Sequence, residues 1–209
     1  MLLICGYRRT GKDVLFNNLI GKGEFKFRVY SNKSGLVVNP DGKRFAFADK
    51  LKEEVVLKYN IPIDIIDKDV IQFDNKSFRD LCIEHANYTK TLDPNYWCKY
   101  LTEITQVISS ETHTSLTEIT CVISSNPNCI ITDWRFICEL DYVKNNFENF
   151  STVRVFRSSV SIPSIDVISE HELDTILTDF LVVSDDDLEF DAAIKCFPQY
   201  QNYYFINFI

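Results

Sequence analysis

The stretch "GYRRTGKDVLF", Gly6 to Phe16, follows a short apolar run, Leu2-Leu3-Ile4-Cys5, and decides how the rest of the chain is read. Gly6, Gly11 and Lys12 keep the spacing of the phosphate-binding loop G-x-x-x-x-G-K-[ST], in which glycines let backbone amides curl around phosphates and the lysine reaches their outer oxygens. The apolar run suits a buried strand, and Val14 to Ile20 continues with helix-like apolar spacing, so strand, glycine loop and helix occur in the order the motif requires. The candidate nucleotide-binding residues are therefore Gly6, Arg8, Arg9, Thr10, Gly11, Lys12, Asp13 and Val14. Asp13 departs from the motif, which has a Mg²⁺-binding hydroxyl there. A carboxylate at a helix start caps it and suits the positive end of the helix dipole; it is also a hard oxygen donor for Mg²⁺ or its water shell.

Composition sets the outer bounds. The chain has 209 residues, 45% apolar and 25% charged, enough for one domain spanning residues 1–209 with a small lid. A net charge of -8 argues against nucleic acid as a partner and leaves a local cationic pocket for a small phosphorylated ligand. Seven cysteines, odd in number and without a C-x-x-C pair, read as reduced, packed thiols. No basic leader and no apolar run of membrane-spanning length is present, so the expectation is a soluble cytoplasmic protein with no membrane partner.

Short apolar runs alternate with helix-like segments, which predicts an α/β fold: a parallel central sheet covered by helices. Strands are expected near Leu2-Cys5, Phe45-Ala48, Cys129-Thr132, Val153-Phe156 and Phe180-Val183, with a last helix near Leu188-Cys196. Glu24 to Asn39 reads as an inserted excursion, a small hairpin or a loop at the sheet edge. "LTEITQVISS" at Leu101-Ser110 returns as "LTEITCVISS" at Leu116-Ser125, a tandem duplication expected to add a helical turn.

In "NCIITDWRF" an apolar run ends in Asp133, and Arg135 follows two residues on. A carboxylate at the carboxyl end of a central strand lies where ligands bind in open α/β sheets, so Asp133 either holds Mg²⁺ together with Asp13 or is a turn residue. Arg8, Arg9, Arg154 and Arg157 add cations, and phosphoryl transfer is helped by arginines that close over the moving group. The Ser- and Ile-rich stretch after Arg157 suits a lid, residues 157–170. Arg154 and Arg157 otherwise read as solvated residues at a strand end.

"GYRRTGKD", "RFAFADKLKEEV", "FRDL" followed by "LDPNYWCK", "TDWRFICEL" and "SEHELD" occur in the order seen in deoxynucleoside monophosphate kinases of phage type, which the chain resembles over most of its length. That group is similar in turn to animal phosphomevalonate kinases. The resemblance implies a three-layer P-loop kinase fold, ATP and Mg²⁺ as cofactors, and a deoxynucleoside monophosphate as acceptor. It implies a loop ending G-K-D, so that Asp13 is native chemistry; if the source is viral, the host cytoplasm is the site of action. Carried over by position, it places Asp49, Lys50, Arg79 and Trp97 around the acceptor, Asp133 and Arg135 in the T-D-x-R-F signature, Arg157 at the opening of the lid, and Ser169 and Glu170 in an S-E pair. Trp97 either stacks on a base or packs as a core aromatic. Where the family has a glycine-rich segment with an arginine, this chain has "CIEHANYTKT", leaving His85 and Lys90 as substitutes. A phosphomevalonate-type kinase and a nucleotide-binding module without transfer are the alternatives, and whether the chain forms a homodimer is not readable.

Overall fold

The structure, a computed structural model, describes residues 1–23, 27–32, 42–61, 71–73, 75–100, 129–184 and 187–206. The duplication lies outside the described residues, as do the flanks of the expected excursion. The elements in chain order are β1 (Leu2–Cys5), α1 (Lys12–Leu19), β2 (Phe27–Ser31), β3 (Lys43–Phe45), α2 (Phe47–Tyr59), β4 (Ile71–Phe73), β5 (Lys76–Ser77), α3 (Phe78–Leu92), β6 (Cys129–Ile131), α4 (Ile137–Asn146), β7 (Ser151–Val155), α5 (Ile168–His171), β8 (Phe180–Ser184), α6 (Asp187–Cys196) and β9 (Tyr204–Ile206). Residues 96–100 are also helical.

Seven strands form one sheet in the order β3-β6-β1-β7-β8-β2-β9, and β4 pairs with β5 as a separate ribbon. From β3 to β8 every pairing is parallel; β2 then runs antiparallel to both β8 and β9. Two expectations are corrected here. Phe27–Ser31 is neither a separate hairpin nor an edge loop but an inner strand, with Val29 and Tyr30 buried on opposite faces. The strand expected over Phe45-Ala48 ends at Phe45, and α2 begins at Phe47, because the Asp133 carboxylate accepts the Phe47 and Ala48 N–H groups at 2.9 and 2.7 Å and starts the helix there.

Strand alternation sorts the core onto two faces. Ile4, Ile130, Val153, Val182 and Val29 pack with Leu15 and Leu19 of α1. On the other face Leu3, Cys5 and Ile131 pack with Phe47 of α2 and Leu140 and Val143 of α4, while Leu181, Val183 and Tyr30 pack with Ala193 of α6 and Tyr200. Burying such side chains contributes about 1.5–3 kcal/mol each. The six described cysteines are free thiols, and no described helix is long and apolar enough to cross a membrane.

The parallel strands end on one edge of the sheet. β1 lies between β6 and β7, so the connections diverge from it in opposite directions and leave a crevice beyond its carboxyl end. Gly6, Asp133 and Arg157 follow β1, β6 and β7 at that edge.

Candidate functional site

The loop between β1 and α1 is shaped by its glycines. Gly6 has φ 144° and Gly11 has φ 100°, the left-handed half of backbone space that glycine enters without a Cβ penalty. At Gly6 a Cβ would also stand 2.4 Å from the Val155 carbonyl oxygen, so the loop can hug β7 only without one. Thr10 is buried and donates its hydroxyl to the Tyr7 carbonyl at 2.9 Å. Lys12 donates to the Gly6 and Tyr7 carbonyls, both at 2.8 Å, so its ammonium lies across the inside of the loop. Burial first, and then the Arg135 charge, lower the Lys12 ammonium from its ordinary value. Arg8 and Arg9 are exposed, and Arg9 has φ 68°.

Asp13 sits exposed in the first turn of α1 and accepts from Arg44 Nε at 3.2 Å. The same guanidinium reaches Asp49 at 2.8 Å, and Lys52 donates to the other Asp49 oxygen at 2.8 Å. Burial alone would raise the Asp49 carboxyl; Lys52 and Arg44 outweigh it and hold the group below its usual value. Asp49 thus belongs to an ion-pair chain joining α1 to α2. Asp133 spends one hydrogen bond at each oxygen on α2, and burial raises its carboxyl despite those amides. No hydrogen bond or ion pair joins Asp13 to Asp133 among the described residues.

Arg135 donates to Glu170 Oε1 at 3.1 Å, and Glu170 Oε2 accepts the Arg8 backbone N–H at 2.9 Å. The loop, the β6 end and α5 therefore meet at one carboxylate. This pair lies between two cavities. A small one borders Cys5, Gly6, Arg154 and Leu173; a larger one of about 360 Å³ opens between α2 and α3, and Arg135 and Glu170 line both. Phe47, Ala48, Leu51 and Lys52 form the α2 wall, and Phe78, Cys82, Ala86 and Lys90, with Arg79 and Ile83, are on the α3 wall. Each set recurs at i, i+4 spacing, one face of a helix. Ser77 fixes the start of α3: its hydroxyl accepts the Asp80 N–H while the Asp80 carboxylate accepts the Ser77 N–H. Trp97, Phe136 and Glu139 complete the pocket, with Lys90 Nζ 2.9 Å from the centre of the Phe136 ring.

Of the expected acceptor residues, Arg79, Trp97, Arg135 and Glu170 line this pocket. Asp49 and Lys50 do not; Lys50 stands 5.3 Å over the Tyr100 ring. The Ser169 side chain lies outside the described residues. His85 is turned to Glu54 at 2.9 Å, whereas Lys90 is in the wall. Arg157 is exposed at the end of β7 and lines neither cavity. Arg154, expected at the surface or in the site, is 2% exposed: it donates to Tyr200 at 3.1 Å and to the Leu173 carbonyl, and lies over the Phe197 ring. It is a buried structural cation behind the loop. Sequence reasoning missed Lys52, Arg44 and Glu139. For Glu139 a signal existed, an acidic residue three positions after Phe136 and opening an apolar helical run; for Arg44 there was none.

No protein-family model and no curated protein matches the chain.

Proposed function

We propose that this chain is an ATP-dependent kinase of the P-loop class that moves the γ-phosphoryl group of ATP to a deoxynucleoside monophosphate, as in the phage-type enzymes it resembles. The observation that carries the reading is the link at Glu170: this carboxylate accepts both Arg135, in the wall of the 360 Å³ pocket between α2 and α3, and the Arg8 N–H of the glycine loop. A donor phosphate held in the loop and an acceptor held in the pocket would meet at Arg135. The pocket's size is that of a small-ligand site. Its Phe47, Phe78, Phe136 and Trp97 surfaces suit a planar base, and Arg79, Lys90 and Arg135 suit its phosphate. That aromatic lining favours a nucleotide over phosphomevalonate.

The roles of the residues follow from charge. Lys12 and the loop amides would hold the β- and γ-phosphates of ATP. The acceptor oxygen is already an anion, so no strong base is needed and positioning with charge neutralisation does the work. Arg135 would balance the transferring group, and Arg157 would join it when the segment after β7 closes. Asp13 fits a Mg²⁺ role, since it is exposed and, among the described residues, is held by the Arg44 guanidinium, which a cation can replace. Mg²⁺ is commonly bound through one or two carboxylates plus phosphates, and when present it offsets phosphate repulsion. Asp133, with both oxygens on α2, would contribute no more than a water-shell contact.

A coupled assay of ADP formation tests this, run with Mg²⁺, the four deoxynucleoside monophosphates, their ribose forms and phosphomevalonate. ADP formation that requires a deoxynucleoside monophosphate is the expected result. Turnover with phosphomevalonate alone would move the chain to that class, and ATP binding without ADP formation from any acceptor would leave a nucleotide-binding module.

A further inference from the structure

The segment after β7 is tied to the phosphate loop through one imidazole. His171 Nδ1 lies 2.7 Å from Asp174 Oδ2, and Nε2 lies 3.1 Å from the Pro163 carbonyl oxygen. The same Asp174 oxygen accepts the Tyr7 hydroxyl at 2.8 Å. Tyr7 in turn offers its backbone carbonyl to Lys12 and to Thr10. Hydrogen bonds thus run from Pro163, in the middle of the 157–167 segment, through His171 and Asp174 to the Tyr7 hydroxyl, and the same tyrosine carries the backbone carbonyl that accepts from the lysine of the loop.

Both partners of His171 are acceptors, a carboxylate and a carbonyl. A neutral imidazole has one N–H and can satisfy only one of them; the imidazolium has two and satisfies both. We propose that protonated His171 is a latch that fastens the 157–167 segment to Asp174 and, through Tyr7, sets the phosphate loop, so that losing the proton loosens both. The surroundings hold the proton. Asp174 faces the ring from the next turn, the Tyr7 ring packs 5.5 Å away from the loop side, and the Pro163 and Ser164 backbone faces it from the segment. The opposing charge is Arg154 from β7, 3.6 Å from the other Asp174 oxygen, and the Cys196 thiol lies toward Tyr7. The Asp174 hydrogen bond is the main reason the His171 value is raised above 6.5. The latch is therefore complete below that value and is lost as pH rises through the higher folded-state value.

Three proteins decide it: wild type, H171Q and Y7F, each measured at pH 6 and pH 8. The readouts are amide-exchange protection over residues 157–167 and the ATP dissociation constant; only the second rests on the proposed function. In wild type, protection should fall and ATP binding weaken by about 3- to 10-fold at the higher pH, the worth of one hydrogen bond. H171Q should flatten both profiles. Y7F, lacking only the hydroxyl, should flatten the ATP profile while the protection of 157–167 stays pH-dependent. Wild-type protection that does not change with pH would overturn the latch, and equal pH dependence of ATP binding in all three would overturn its coupling to the loop. Absence of any ATP binding would retire the kinase reading, with the protection data still deciding the latch.

Discussion

The phosphate loop and the pocket beside it are built in opposite ways. The loop is six consecutive residues, Gly6 to Gly11, between β1 and α1, held by its own carbonyls and by glycine geometry at Gly6 and Gly11. The pocket is gathered from α2, α3, Trp97, the β6-to-α4 turn and α5, with Phe47 and Glu170 at the two ends of the stretch of sequence that supplies it. A local site fails when one residue fails, whereas a gathered site fails when the helices that form it shift. The sharpest way to break the contrast is Lys12→Ala. Removing the one cation that spans the loop should reduce turnover by about 10²–10³-fold or more, with the thermal midpoint close to wild type, since a single well-placed charge donor commonly contributes that much. Near-normal turnover in a folded variant would detach the loop from the chemistry.

The same contrast explains what the sequence disclosed. Gly6, Gly11, Lys12 and the T-D-W-R run were legible because their spacing along the chain is their spacing in space. Asp49 and Lys50 were placed at the acceptor by position in the resemblance alone. With α2 starting at Phe47, successive residues turn by about 100°, so 47, 48, 51 and 52 face the pocket and the lysine that lines it is Lys52. The start of α2 is set by Asp133, a partner 85 residues away from Ala48 that no local pattern reveals. Trp97 shows the opposite case: it is 5% exposed and yet lines the pocket, so it is both a core aromatic and a pocket wall. The reversed direction of β2 was hidden for a similar reason, because strand direction depends on β8 and β9 and not on the residues of β2.

Asp133 belongs to both regions, and substituting it sharpens where one ends. If its work is to start α2, Asp133→Asn presents an amide group toward one of two backbone N–H donors and should cost about 1–3 kcal/mol of stability, the penalty of a buried donor left unpaired. The Mg²⁺ midpoint of turnover should then move in Asp13→Asn and stay put in Asp133→Asn. The double variant should be additive in stability within about 0.5 kcal/mol, as for sites without shared partners. A Mg²⁺ midpoint shifted by Asp133→Asn, with strong non-additivity, would place both carboxylates on one ion.

The smallest effect is expected at Glu139, on the rim of the pocket. It is 3% exposed and its Oε2 accepts the N–H groups of Arg135 and Phe136 at 2.9 and 3.0 Å, closing the turn that leads into α4. Burial, aided by the nearby Asp133 charge, pushes its carboxyl up to about 8 against the two amides that favour ionisation. A raised acid binds its proton more tightly folded than unfolded, so its contribution is full below about 4.5, the ordinary value, and fades as pH rises through about 8. Glu139→Gln keeps a neutral oxygen for both N–H donors and has no proton to lose. Its thermal midpoint should therefore fall less than that of wild type between pH 6 and pH 9, by about 2–4 °C for each kcal/mol removed in a chain of this size. Parallel profiles for the two proteins would mean that the carboxyl is ionised in the folded state and that the amides, not burial, set its charge.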